Sequence, residues 1–429
     1  MPTSMRRLAF ALFVILLMSA AFAAAQTAPA PAAPTAEDRI KELEDRIIAL
    51  EGQVRMLQQQ ASASQPAAQP AATATPQAQP QETVAATQPS VDYTTQAQPQ
   101  LGGATSMAKA LNPDIAVIGN FVATAGHNPI VESPSLAVPE TEVSFQAVVD
   151  PYARADVFLS FGEEGVELEE GYLTFTALPK NFVAKVGKMR EYFGKVNTMH
   201  THVLPWVDRP LIMQNLLGGE EGIADAGFSV SRGFAGPKGI YLEATGQMYR
   251  GDAGELWSQS GKRDVSALAH FRGYGDITES TNLDIGFSYG RGHNDLGSDF
   301  LTQLYGVDAT FRWKPLRRAI YHAFIARSEF VLSQRQELLS TQRAFGFFTS
   351  ADYQLARRWW MGGRFDWSDR ARDAALTDKG GSFVLTYWPS EFAQIRGQYR
   401  FTNYAEGRNA NELLMQVLFA IGAHGAHPF

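Results

Sequence analysis

From about residue 111 to residue 429, apolar and polar side chains alternate with a period of two, in one short segment after another. Ala153, Ala155, Val157, Leu159 and Phe161 fall on one face of such a segment, and Arg154, Asp156 and Ser160 on the other. The pattern returns in Ile240 to Tyr249, in Val265 to Arg272 and in Tyr305 to Trp313. It returns again in Trp359 to Trp367, and in Ala393 to Phe401, where Gln394, Arg396, Gln398 and Arg400 make the polar face. Period two is that of an extended strand with one dry and one wet face. Further candidates centre near Ile115, Val143, Leu173, Val183, Phe228, Ile285, Phe324, Phe347, Phe383 and Met415, which brings the total to about sixteen. The total is even, as closed membrane barrels require. Small and aliphatic residues in mid-strand with aromatics toward the ends are what lipid contact asks of the outer face. The expected fold is all-β: a transmembrane antiparallel β-barrel of about sixteen strands over 111–429.

The pattern upstream is different. Residues 1–25 read as a secretory signal peptide, with Arg6 and Arg7 ahead of an apolar run and small residues at its end. Over 35–60 the apolar positions Ile40, Leu43, Ile47, Leu50, Val54 and Leu57 are spaced by three and four, which predicts a short α-helical coiled coil on the periplasmic side. β-Branched residues at the first core position favour a parallel dimer. Arg39-Ile-x-x-Leu-Glu44 and Arg46-Ile-x-x-Leu-Glu51, however, resemble a trimer-specifying coiled-coil motif, which implies a homotrimer. Residues 61–110, rich in Pro, Ala and Gln, have too few large apolar side chains to bury a core and are expected to form a disordered linker. Extended, such a linker could carry the coiled coil as far as peptidoglycan.

Composition narrows the function. A net charge of −7 with 19% charged residues shows no clustered basic excess, so no nucleic-acid partner is expected. The absence of cysteine excludes thiolate metal sites and thiol catalysis. There is no G-x-S-x-G, H-E-x-x-H or P-loop pattern, so neither an enzyme nor a bound cofactor is expected. On the wet faces Arg154, Asp156, Arg272, Arg312, Arg327, Arg364, Arg396 and Arg400 line the lumen wall. Arg154/Asp156, Arg327/Glu329 and Arg364/Asp366 stand two apart, so part of this set is expected to brace the wall.

The longest break in the alternation follows Lys185-Val-Gly-Lys-Met-Arg-Glu-Tyr-Phe-Gly-Lys195 and runs over 196–222, with Trp206-Val-Asp-Arg-Pro210 inside it. This stretch resembles the phosphate-selective porin O/P family. The resemblance implies a loop that folds into the lumen as a constriction, with Lys188, Arg190, Lys195 and Arg209 in contact with solute. The dense arginine ladder of that family has no clear equivalent here. The last alternating segment, ending at Phe429, resembles the closing strand of bacterial outer-membrane barrels, whose terminal aromatic is the signal to the barrel assembly machinery. His200 and His202, near Asp208, are the candidate metal ligands, since two imidazoles and a carboxylate suit zinc; His424 and His427 lie near the end of the chain.

The expectation is thus an outer-membrane porin, in contact with lipid, that passes small hydrophilic solutes, anions among them, by passive diffusion. Two competing expectations are a structural envelope tether anchored by the barrel, and a channel for metal or chelate uptake. A receptor barrel with a plug domain would need about twenty-two strands, more than this chain can supply.

Overall fold

The computed structural model describes residues 113–163, 165–219 and 221–422. They form sixteen strands: β1 (Asp114–His127), β2 (Leu136–Asp150), β3 (Ala153–Gly162), β4 (Gly165–Phe175), β5 (Phe182–Arg190), β6 (Ala224–Ala235), β7 (Tyr241–Tyr249) and β8 (Ser266–Thr278), then β9 (Thr281–Asn294), β10 (Gly297–Trp313), β11 (Phe324–Gln336), β12 (Thr341–Ala356), β13 (Trp359–Asp369), β14 (Thr377–Ser390), β15 (Ala393–Asn403) and β16 (Asn409–Gly422). Each pairs with its neighbours in sequence, and β16 returns antiparallel to β1, with Ile118 opposite Ala420 and Phe121 opposite Val417. The sheet is therefore closed and has no free edge. Every alternating segment in the sequence corresponds to one strand.

The two faces separate as the alternation requires. Phe228, Phe271, Phe287, Tyr399, Leu413 and Met415 project outward and are exposed, whereas Thr245, Gln247, Ser288, Gln398 and Gln416 point inward and are buried. An apolar belt around a closed barrel, with its polar backbone groups paired in the ladder, is stable only against lipid. Among the described residues no helix is long and apolar enough to cross a membrane.

The barrel end that carries Asp114 and Gly422 has mostly tight connections, such as 151–152, 279–280, 357–358 and 391–392; the opposite end carries the long ones, 191–223 and 250–265. The coiled-coil segment 35–60 with its core positions Ile40, Leu43, Ile47, Leu50, Val54 and Leu57 lies outside the described residues, as do Phe429, His424 and His427.

One expectation fails here. The lumen was expected to be polar throughout, yet it holds an apolar core. Leu268, Leu304, Val331, Ala344, Phe348 and Val384 point inward from β8, β10, β11, β12 and β14 and are almost wholly buried. The two long connections fold back into the barrel and cover them.

Candidate functional site

The connection 191–223 crosses the lumen and is held at successive points around the wall. The Tyr192 amide donates to Gln247 Oε1 of β7 at 2.8 Å, and the Gly194 amide to Ser288 Oγ of β9 at 2.9 Å. The amides of Lys195 and Val196 both donate to Glu329 Oε1 of β11 at 2.7 Å, and Lys195 Nζ bonds Asp284 Oδ2 of β9 at 2.7 Å. Beyond this the chain meets β15, where the Val207 amide donates to Gln398 Oε1 at 2.7 Å. A short helix α1 (Leu211–Leu216) then packs against β12 and β13, with the Leu211 amide on Asp366 Oδ1 at 3.2 Å.

Buried Asn197 closes the base of this loop. Its Nδ2 donates to the carbonyls of Glu191 and Ile223 at 2.8 and 2.9 Å, and its Oδ1 accepts the Ile223 amide at 2.8 Å. Gly222 is required beside it: its φ is +72°, and a Cβ there would stand 2.2 Å from Asn197 Oδ1. Within the loop, Phe193, Val196, Leu204, Trp206, Ile212, Met213, Leu216 and Leu217 are buried against the inward apolar residues of the wall, and Leu256 and Trp257 of the 250–265 connection join them. Glycines make room for the larger rings. A Cβ on Gly306 of β10 would lie 2.8 Å from the Phe193 ring, and one on Gly292 of β9 would lie 2.5 Å from Trp257.

The four cations expected at a constriction do not form a ring open to solute. Lys188 shares the outward side of the sheet with Ala226, its partner on β6, and reaches Glu167 Oε1 at 3.1 Å and the Leu168 carbonyl at 2.7 Å near the rim. Its even position on β5, in step with exposed Val186, turns it away from the lumen, which corrects its expected role. Arg190 is buried, pairs with Glu169, and donates to the Glu221 carbonyl at 2.6 Å. Lys195 is held by Asp284; burial first, and Arg312 second, lower its pKa to about 8. Arg209 donates to the Val196 and Met199 carbonyls at 3.2 and 2.8 Å and so pins the loop to itself.

Most of the wall residues have a bracing partner, and one of the expected pairs does not form. Arg154 pairs with Asp156 at 2.7 Å, and Arg272 makes two bonds of 2.7 Å to Asp284. Arg364 pairs with Asp366 at 2.7 Å, and Arg396 bonds Gln416 at 2.8 Å and the Trp206 carbonyl at 3.0 Å. Arg400 pairs with Glu412 at 2.6 Å. Arg312 stands on β10 opposite Asn282 and Ile325. The exception is Arg327, which pairs across the strand with Asp352 at 2.5 Å instead of with Glu329, because Glu329 is engaged by the loop amides.

Asp208 is not beside the histidines. It lies between Arg364 and Arg400 at 3.0 and 2.9 Å, on the β13 and β15 side of the lumen. Burial works against its charge, but the two guanidinium groups outweigh that and hold its carboxyl well below the usual carboxylate range.

His200 and His202 meet other carboxylates. His200 Nδ1 is 2.8 Å from Glu142 Oε2 of β2 and 3.2 Å from Glu169 Oε2 of β4, and its Nε2 is 2.8 Å from Glu170 Oε2. His202 Nδ1 is 3.3 Å from Glu142 Oε2. Two adjacent glutamates can both face inward because β4 carries a bulge: Phe158 pairs with Glu170 and Leu159 with Leu168, which leaves Glu169 as the extra residue. Burial opposes charge on His200, but Glu142 and Glu169 outweigh it and keep the imidazolium pKa well above the ordinary histidine value. Glu142, Glu169 and Asn197 escaped sequence reasoning. The one local signal was Glu169-Glu170 itself, two acids in succession where alternation allows one.

The closed sixteen-stranded antiparallel barrel is similar in fold to solved outer-membrane proteins, porins among them. Among solved structures, an anion-selective porin from Comamonas acidovorans superposes with a TM-score of 0.51 at 8% identity, over 72% of this chain and 99% of that one. OmpT of Vibrio cholerae in its trimer form gives 0.50 at 8% identity, over 72% and 99%. OprB of Pseudomonas putida gives 0.50 at 8% identity, over 73% and 95%. In sequence, an uncharacterized protein of Aquifex aeolicus (strain VF5) is 27% identical over 349 residues, 71% of this chain and 72% of that protein. No family model matches the chain.

Proposed function

We propose that this protein is an outer-membrane channel through which small hydrophilic solutes diffuse passively, narrowed by the loop over 191–223. The observation that carries this reading is the anchoring of that loop to β7, β9, β11, β13 and β15, which turns a wide barrel into a restricted one. Passive conduction requires that no site on the path hold its solute tightly. Arg190, Lys195 and Arg209 are each tied to a carboxylate or a carbonyl, so the channel is weakly selective and carries no cation ladder for anions. The resemblance of the 185–222 stretch to phosphate-selective porins accordingly extends to the position of the loop and not to phosphate preference.

The further organisation belongs to the same proposal. Residues 1–25 direct secretion, 35–60 form the coiled coil of a homotrimer in the periplasm, 61–110 link it to the barrel, and Phe429 ends the segment read by the assembly machinery. A trimer is in keeping with the trimer form described for the Vibrio cholerae OmpT structure.

Planar-bilayer recording of the purified protein tests the channel. Discrete conductance steps are expected, with a reversal potential close to zero in asymmetric potassium chloride. The absence of steps defeats the reading, and a strong anion reversal potential defeats the absence of selectivity.

A further inference from the structure

We propose that Glu142, Glu169 and His200 form a binding site for a divalent transition-metal cation of the zinc type, with His202 beside Glu142 and Glu170 orienting His200 from behind. The nearest donor contacts are those given above: His200 Nδ1 to Glu142 Oε2 and Glu169 Oε2 at 2.8 and 3.2 Å, and His202 Nδ1 to Glu142 Oε2 at 3.3 Å. In a tetrahedral site with bonds of roughly 2 Å, donor atoms stand about 3.3 Å apart. The donor atoms of Glu142, Glu169 and His200 all lie within 4.8 Å of one another, a three-ligand set of one nitrogen and two oxygens that leaves a fourth position open, with His202 beside Glu142.

Three further observations point to a ligand and not to a mere ion-pair cluster. Glu169 is 7% exposed, and its Oε2 faces His200 Nδ1 at 3.2 Å. Its other oxygen is taken by Arg190, so Oε2 is the oxygen that a cation replacing the His200 Nδ1 proton would meet. Second, the bulge in β4 exists at the one residue whose side chain completes the set; without it Glu169 would face lipid. Third, Nε2 of His200 lies 2.8 Å from the Glu170 carboxylate, which would keep the Nε2 proton in place when Nδ1 exchanges its own for the metal. A carboxylate behind a ligating imidazole is the usual device for orienting it. The charges balance as well: Glu142, Glu169 and Glu170 are matched by Arg190 and a dication once the Nδ1 proton has left for solvent.

Imidazole nitrogen in the set argues against magnesium or calcium, which take oxygen ligands. The ligands come from β2, from β4 and from the lumen loop, so the cation would fasten the loop to the wall. The proposal does not rest on conduction, since a barrel that fails to conduct could still bind the metal.

The test is calorimetric titration of zinc chloride into the full-length, chelator-treated protein in detergent, with magnesium chloride in parallel. One zinc per barrel and no saturable heat with magnesium are expected. Glu169→Gln and His200→Gln should each weaken zinc binding about a hundredfold, and Glu170→Gln about ten- to a hundredfold with the stoichiometry kept. Fold is checked for each variant by the heat-dependent shift in gel mobility of the barrel. Should the His200 variant not fold, the absorption spectrum of cobalt(II) added to the unaltered protein decides. Intense visible bands of a four-coordinate ion support the site, and the weak bands of a six-coordinate ion overturn it. No saturable zinc binding, equal binding of magnesium, or unchanged affinity in Glu169→Gln also overturns it.

Discussion

Asp208 shows how a single side chain can hold a loop inside a membrane barrel. One of its carboxylate oxygens is shared by Arg364 and Arg400, and the other accepts from Gln398 Nε2 at 2.5 Å, so one loop residue is fixed to two wall strands. Arg364 also lies over the Trp206 ring, 4.8 Å from its centroid, which joins this polar anchor to the apolar core. Removing one partner of a buried pair is costly because the charge left behind is not resolvated. Asp208→Asn is expected to cost about 2 kcal/mol, below the usual range for such a loss, because Arg364 keeps Asp366 and Arg400 keeps Glu412. Unfolding in denaturant, followed by gel mobility, measures it, and an unchanged midpoint would contradict the anchor. The sign of its pH dependence follows from the lowered pKa. The contribution is fully present above the unfolded carboxyl value of about 3.9 and is lost only as pH falls through the lower folded value. Conductance of the unaltered channel should therefore not change between about pH 4 and pH 8 through release of this anchor. A step in that window that vanishes in Asp208→Asn would refute the assignment.

At the scale of elements, the loop over 191–223 is ordered by two kinds of force that act at different places. Its first turn is held by hydrogen bonds to Gln247, Ser288 and Glu329, while its helix α1 is held by burial of Ile212, Met213 and Leu216 against β12 and neighbouring strands. Each of these large side chains contributes roughly 1.5–3 kcal/mol when fully removed from water. Wall glycines such as Gly306 and Gly346 face the loop, so the barrel interior is shaped to receive it. Replacing 196–222 with a short Gly-Ser linker should leave the barrel closed, because every ladder bond lies outside the segment, and should raise single-channel conductance roughly twofold or more. A conductance equal to that of the complete protein would show that the loop does not narrow the path.

For the whole molecule, closure is a property of the strands alone: β1 to β16 pair in sequence order and the last meets the first. Among the described residues the ladder closes on itself from Asp114 to Gly422. Deletion of 35–60, with the secretion segment retained, is therefore expected to leave the conductance of one barrel unchanged while the detergent-solubilised particle falls from trimer to monomer mass. Light scattering and bilayer recording read the two outcomes separately, and a trimer that survives the deletion would place the association in the barrel wall.

Strand number, strand order and the choice of outward face were legible in the sequence because each follows from a local period of two, read over ten residues or so. The same rule puts Arg154, Asp156, Arg364 and Arg400 on the inner face; Arg154 pairs with Asp156, and Arg364 and Arg400 meet Asp208 of the loop. What the alternation could not reveal is which inward residues meet one another across the lumen. His200 could be paired with Asp208 on proximity in sequence, but the loop path carries Asp208 to β13 and β15 and brings His200 to β2 and β4. Inward Leu268, Leu304 and Val384 break the polar alternation, and the loop supplies the apolar partners that bury them. The sequence by itself therefore determined the barrel, whose pairing is between chain neighbours. Only the tertiary structure decided the contents of the lumen, because those contacts join residues tens to nearly two hundred positions apart, such as His200 and Glu170 or Asp208 and Arg400.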